Sequence, residues 1–82
     1  MSGFENYRQE LAELDREILH YAELCGVDVS DHAAVHECIR QHHEGWPADK
    51  PRETLQGLLI LRIKLEEEML GLGMKPPQLG GW

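Results

Sequence analysis

Histidine and cysteine are the side chains of this sequence that could bind a transition metal. Two pairs lie four residues apart within one predicted helix, His32 with His36 and Cys38 with His42, and this spacing places both members of a pair on one helical face. Because imidazole and thiolate are ligands of zinc and related metals, these four residues form a candidate metal site. The sequence contains no Cys-x-x-Cys or His-Glu-x-x-His pattern, so we favour the alternative that Cys38 packs in the core and the histidines lie on a solvated face.

A second candidate for chemistry is the pair Arg62 and Glu66, four residues apart on an apolar helix. An arginine in apolar surroundings could bind an anionic ligand or the carboxylate of a partner protein. The alternative is an ion pair within the helix that fixes the register of a helical interface. We favour the second interpretation.

Three helices and a tail must position these residues. The periodicity and the capping signals predict helices over residues 3–24, 31–43 and 51–72, followed by an extended tail over residues 74–82 that contains Pro and Gly. Ser2 and Glu5 fit a capping box at the first helix, Gly26 can end that helix, and Pro51 suits the first turn of the third. The predicted fold is all-α, a small bundle of two long antiparallel helices connected by one short helix, in a single domain over residues 1–73.

The first predicted helix has one apolar seam with alternating spacings of three and four. Its members are Phe4, Tyr7, Leu11, Leu14, Ile18, Tyr21 and Cys25. Charged residues occupy the other faces, and we expect them, Asp15 included, to be solvated. A single seam requires one helical partner.

The third predicted helix has an apolar face that is too wide for one neighbour. One edge and the tail provide a predicted interaction surface, which consists of Leu58, Leu61, Arg62, Leu65, Glu66, Met69 and Trp82. An exposed apolar patch of this kind marks a protein contact. We expect a homo-oligomer, most simply a homodimer, or a complex with a larger protein.

Composition narrows the class of partner. The 82 residues include 8 Lys and Arg and 15 Asp and Glu, for a formal net charge of −7. Such a charge disfavours binding to nucleic acid and to anionic membranes. The N-terminus lacks the pattern of a signal peptide, and two cysteines are too few for a disulfide scaffold. These features predict a cytoplasmic protein with free thiols.

Two segments carry a local resemblance to a known family. The segment from Leu11 to Leu19 resembles the opening helix of the all-helical chorismate mutases, and Pro51-Arg52-Glu53 is similar to a Pro-x-Arg-Glu element of that family. The resemblance implies a small helical enzyme. Where the family continues into an arginine that binds a substrate carboxylate, this chain has His20-Tyr21-Ala22-Glu23, so no active-site residue is transferred.

The sequence therefore supports three hypotheses of function. The leading one is a small acidic protein–protein interaction or accessory module that self-associates through the third helix, without catalytic residues or a cofactor. The alternative is a helical protein that binds zinc or another transition metal through His32, His36, Cys38 and His42. The third is an enzyme of chorismate-mutase type.

Overall fold

A computed structural model describes the backbone of residues 3–76 and the side chains of residues 6–76. It contains three helices, α1 (Gly3–Cys25), α2 (His32–His43) and α3 (Lys50–Gly71), and no strand within the described part of the chain. The prediction of an all-α fold is confirmed, and each helix boundary lies within one residue of its predicted position. The predicted tail beyond Pro76, with Trp82, lies outside the described residues, as does Ser2 of the predicted capping box.

The helix ends follow from local hydrogen bonding. After α1, Gly26 adopts a φ of +70°, and the N–H of Val27 donates to the carbonyl oxygen of Ala22 at 2.8 Å, which closes the helix as a left-handed glycine allows. The carboxylate of Asp31 accepts from the N–H of Ala33 at 3.0 Å and so caps α2. Asp49 caps α3, which has Pro51 in its first turn. These caps explain why the boundaries could be predicted closely.

The core lies mainly between α1 and α3. From α1 it contains Leu11, Leu14 and Ile18 of the predicted seam together with Ala22, and from α3 it contains Leu55, Leu59, Leu65 and Met69. Tyr7, Tyr21 and Cys25 of the seam are partly buried against this core. Tyr7 near the start of α1 interacts with Glu68 near the end of α3, and Asp15 pairs with Arg62 near the middle of both helices.

Helix α2 covers a smaller part of α3. Its buried side chains are Val35 and Cys38, and Ile39 is partly buried. Gln56 of α3 is buried beneath α2, and its Nε2 donates to the backbone oxygen of Cys38 at 3.1 Å. This bond satisfies a buried amide that would otherwise cost about 1–3 kcal/mol, and it joins two helices of otherwise limited contact.

Candidate functional site

The most buried charge of the described chain is the guanidinium of Arg62, whose residue is 0% exposed. Its Nε donates to Asp15 Oδ1 at 2.6 Å, and its Nη2 lies 3.4 Å from Asp15 Oδ2. Its Nη1 lies 2.6 Å from Glu66 Oε2 one turn along α3. Arg62 is thus held by one carboxylate from each long helix, the arrangement that a planar guanidinium favours.

The pairing corrects the expected environment of Asp15. The sequence predicts a solvated Asp15, whereas its side chain is only 23% exposed and faces Arg62. The sequence contains a signal for this position, because Leu11 and Ile18 of the seam lie four residues before and three residues after Asp15, on the same face of α1. Asp15 consequently lies at the edge of the apolar seam, where an arginine of α3 can reach it.

The predicted interaction surface divides into buried and exposed members. Arg62, Leu65 and Met69 are buried within the chain, and Leu58 and Glu66 are partly buried. Leu61 remains 58% exposed. The intrahelical pair that we favoured for Arg62 and Glu66 is present, with Asp15 as the additional carboxylate. Among the members of this surface that the structure describes, Leu61 is therefore the exposed apolar one.

A groove runs between α1 and α3 beside Leu61, with a volume of about 480 Å³. Its apolar lining is formed by Leu14, Leu61 and Leu65. Its polar lining consists of Glu10, Glu13, Glu17, Glu68 and Lys64. Four carboxylates against one ammonium give this groove a net charge of −3, so it is apolar at its base and acidic at its rim. We call it the acidic groove.

The acidic character continues at the end of the groove that contains Tyr7. A neighbouring cavity of about 310 Å³ is lined by Asn6, Tyr7, Glu10 and Glu68. Burial raises the pKa of the Tyr7 phenol, and the negative charge of Glu68, its hydrogen bond with Tyr7 and the charge of Glu10 raise this pKa further. The carboxylates of Glu10 and Glu68 therefore extend the acidic lining to this end.

The predicted metal ligands are distributed over two environments. Cys38 is buried in the core, and burial is the largest cause that raises the pKa of its thiol, so Cys38 is a poor source of thiolate at neutral pH. His32, His36 and His42 are exposed. The rings of His32 and His36 are nearly parallel, with centroids 5.6 Å apart and an interplanar angle of 15°. Among residues whose side chains are described, no group of three His, Cys, Asp or Glu is arranged to hold a metal.

A second groove lies between α2 and α3 and has a different charge. Its volume is about 540 Å³, and its lining consists of His36, Ile39, Arg40, His43, Glu44 and Ile63. Arg40 forms ion pairs with Glu37 and Glu44 on the surface of α2. The lining of this second groove therefore lacks the excess of carboxylates that lines the groove between α1 and α3.

Comparisons with protein-family models, with curated proteins and with solved structures find no match to this chain. Within residues 3–76, none of the three helices combines the length and the apolar character that a membrane crossing requires. The geometry of the grooves is therefore the basis for assigning a function.

Proposed function

We propose that this protein is an interaction or accessory module that binds another protein in the acidic groove. The observation that carries the proposal is Leu61, a large apolar side chain that is 58% exposed beside Leu14 and Leu65 in a concave surface. A single exposed leucine is ordinary. Leu61 stands beside the edges of Leu14 and Leu65, which are 8% and 9% exposed and line the base of the groove, so it offers a partner an apolar contact in a concave site.

Two further exposed leucines lie on the same sides of α1 and α3 as the groove residues. Leu24 is 60% exposed and Leu72 is 53% exposed. Leu24 follows Glu17 by seven residues and Leu72 follows Leu65 by seven, so each lies about 20° from a groove residue around its helix axis.

The proposal includes the finer architecture predicted from the sequence. The chain would form a small bundle of two long antiparallel helices and a short connecting helix, and the tail with Trp82 would add a contact at one end. Self-association through α3 is the variant of this function in which the partner is a second copy. The enzyme hypothesis is less well supported, because a dianionic substrate would meet four carboxylates and one lysine in the acidic groove.

Site-specific photocrosslinking tests the proposal. A photoreactive phenylalanine analogue replaces Leu61 in one variant and Glu67 in a matched control, since Glu67 is exposed on α3 and lies outside the groove lining. Irradiation in cells of the native source should give a discrete crosslinked species at position 61 and none at position 67. The captured protein is then purified, and its affinity for the wild-type chain and for Leu61→Ser is measured.

The outcomes separate the alternatives. A species of twice the chain mass would identify self-association, and a heavier or lighter one would identify a different partner. Equal crosslinking at positions 61 and 67, or affinity unchanged by Leu61→Ser, would refute a binding role for the groove.

Metal binding is the second candidate, and the parallel rings of His32 and His36 are the observation that favours it. Two histidines four residues apart on a helix can share one metal ion. Elemental analysis of protein purified without a histidine tag, together with the thermal shift on addition of zinc, tests this function. A shift that His32→Ala and His36→Ala abolish would support it, and less than a tenth of an equivalent of metal with no shift would exclude it.

A further inference from the structure

We infer that the partner inserts a basic amphipathic helix into the acidic groove. This inference rests on the proposed function and adds the chemistry of the bound element. The groove combines an apolar lining of Leu14, Leu61 and Leu65 with four carboxylates and one lysine. A ligand that complements both features must present an apolar stripe bordered by cations, which is the pattern of a basic amphipathic helix.

The spacing of the acidic residues matches a helix in length and in period. Glu10, Glu13 and Glu17 are separated by three, four and seven positions along α1 and so lie on one side of it. Seven residues of helix extend about 10 Å, so these three carboxylates span two helical turns. A partner helix aligned with α1 would place Lys or Arg at the same intervals opposite them. Glu68 contributes a fourth carboxylate from the α3 side of the groove.

A second copy of this chain does not fit the groove. Two copies joined by their acidic grooves would bring four carboxylates of one against four of the other, which electrostatic complementarity disfavours. The sequence also lacks the required basic stripe, since no two of its Lys and Arg residues are separated by three, four or seven positions. The bound helix therefore belongs to a different protein.

Binding of designed peptides to the full chain tests the inference. Three fluorescent 18-residue helical peptides share one scaffold: the first has a leucine stripe bordered by lysines, the second has glutamate in place of each lysine, and the third retains the lysines but has serine in place of each leucine. Fluorescence anisotropy should show binding of the first peptide, weaker binding of the third and none of the second. Affinity for the first peptide should fall as salt is raised, because added ions screen exposed charges.

Matched charge reversals locate the binding surface. Glu13→Lys with Glu17→Lys should weaken binding of the first peptide by about tenfold or more, because the change removes two attractive pairs and replaces each with a repulsive one. Glu23→Lys with Glu67→Lys changes the net charge equally at exposed positions outside the groove lining and should leave the affinity within about twofold if local contacts dominate. Leu61→Ser should also weaken binding. Circular dichroism verifies that each variant is folded.

Several results would overturn the inference. These are equal affinity for the lysine and glutamate peptides, equal affinity for the leucine and serine peptides, or equal losses in the two reversal variants. The photocrosslinking experiment keeps the two proposals apart. A partner captured at position 61 through a segment that is not a basic helix would refute this inference and retain the proposed function, whereas the absence of capture would refute the proposed function itself.

Discussion

At the scale of single residues, Arg62 is the side chain whose environment is most costly to change. Removing a guanidinium from water costs several kcal/mol, and only close, well-oriented carboxylates compensate for this. Asp15 and Glu66 provide that compensation from two helices. Because both carboxylates keep some exposure, at 23% and 25%, the arrangement is a structural lock between α1 and α3 with access to water on its carboxylate side.

Replacement of Arg62 should therefore destabilise the fold strongly. We expect Arg62→Ala to lower the free energy of unfolding by about 3–5 kcal/mol, because it leaves a cavity and two carboxylates without their cation. Arg62→Lys is the matched variant: it keeps the charge but loses the fork that engages Asp15, so its cost should be smaller. Urea denaturation followed by circular dichroism measures both. Equal losses for Ala and Lys would contradict this, because they would show that a positive charge without the fork contributes nothing.

The residues that sequence reasoning placed correctly are those with a local signal. The seam of α1 follows from periodicity, and the helix ends follow from residue types such as Gly26 after α1 and Pro51 in the first turn of α3. The pairing of Asp15 with Arg62 joins positions 47 residues apart, and nothing in local periodicity specifies such a partner. The acidic groove could not be predicted for the same reason. In the sequence, Glu10, Glu13 and Glu17 are typical of a solvated helix face, and only the position of α3 beside them shows that they line a groove.

At the scale of helices, α2 is held less firmly than α1 and α3. Its buried side chains are Val35 and Cys38, and Gln56 provides a hydrogen bond to its backbone. A helix with few buried apolar contacts separates from the core at low free energy. The thiol of Cys38 reports such opening, because burial raises its pKa and it must reach solvent to react.

Alkylation of Cys38 should therefore follow the opening of α2. In a Cys25→Ser background, Cys38 should react with iodoacetamide much more slowly than an unfolded thiol. Gln56→Ala should accelerate the reaction about fivefold, since loss of one buried hydrogen bond is worth about 1 kcal/mol. Gln9→Ala, on the exposed surface of α1, is the control. Rates measured by mass spectrometry that are the same in both variants would contradict the role of Gln56.

Alanine substitutions at Gly57, within α3, and at Gly73, just after α3, should change the stability of the fold in opposite directions. Gly57 lies within α3, and a Cβ added there meets no atom within 4 Å, so Gly57→Ala should stabilise the fold by about 0.5–1 kcal/mol. Gly73 has a φ of +80°, a conformation that costs alanine about 1–2 kcal/mol, so Gly73→Ala should destabilise it. Thermal unfolding of both variants measures the difference, and shifts of the same sign would contradict the prediction.

At the scale of the whole molecule, the net charge is −7. The ionisation of carboxylates is therefore the main way in which pH changes the stability of the fold in acid. Hydrogen bonds from Ser30 lower the pKa of Asp28. Hydrogen bonds from Arg40 are the first cause of the lowered pKa values of Glu37 and Glu44. Because these values are lower in the folded chain than in the unfolded chain, the charged forms stabilise the fold above the unfolded pKa of about 4.

Stability should consequently decline as pH falls from about 5 toward the lowered pKa values. The midpoint of urea denaturation, measured at intervals from pH 7 to pH 3, should show this loss. Asp28→Asn, Glu37→Gln and Glu44→Gln combined should flatten the acid limb of the profile. The combination Glu23→Gln, Glu53→Gln and Glu67→Gln removes the same charge from other exposed positions. An identical flattening in both triple variants would assign the effect to net charge alone.

Folding of this chain must dehydrate the Arg62 guanidinium as α1 and α3 come together. Glu66 lies one turn away on α3, but Asp15 is 47 residues away in the sequence, so this second carboxylate arrives only when the two long helices meet. The barrier to folding should therefore contain a dehydration cost that an apolar side chain would not incur. The ion pairs of Arg62 that join α1 and α3 would thus slow the packing of these two helices. The molecule would gain specificity in this packing and lose folding speed.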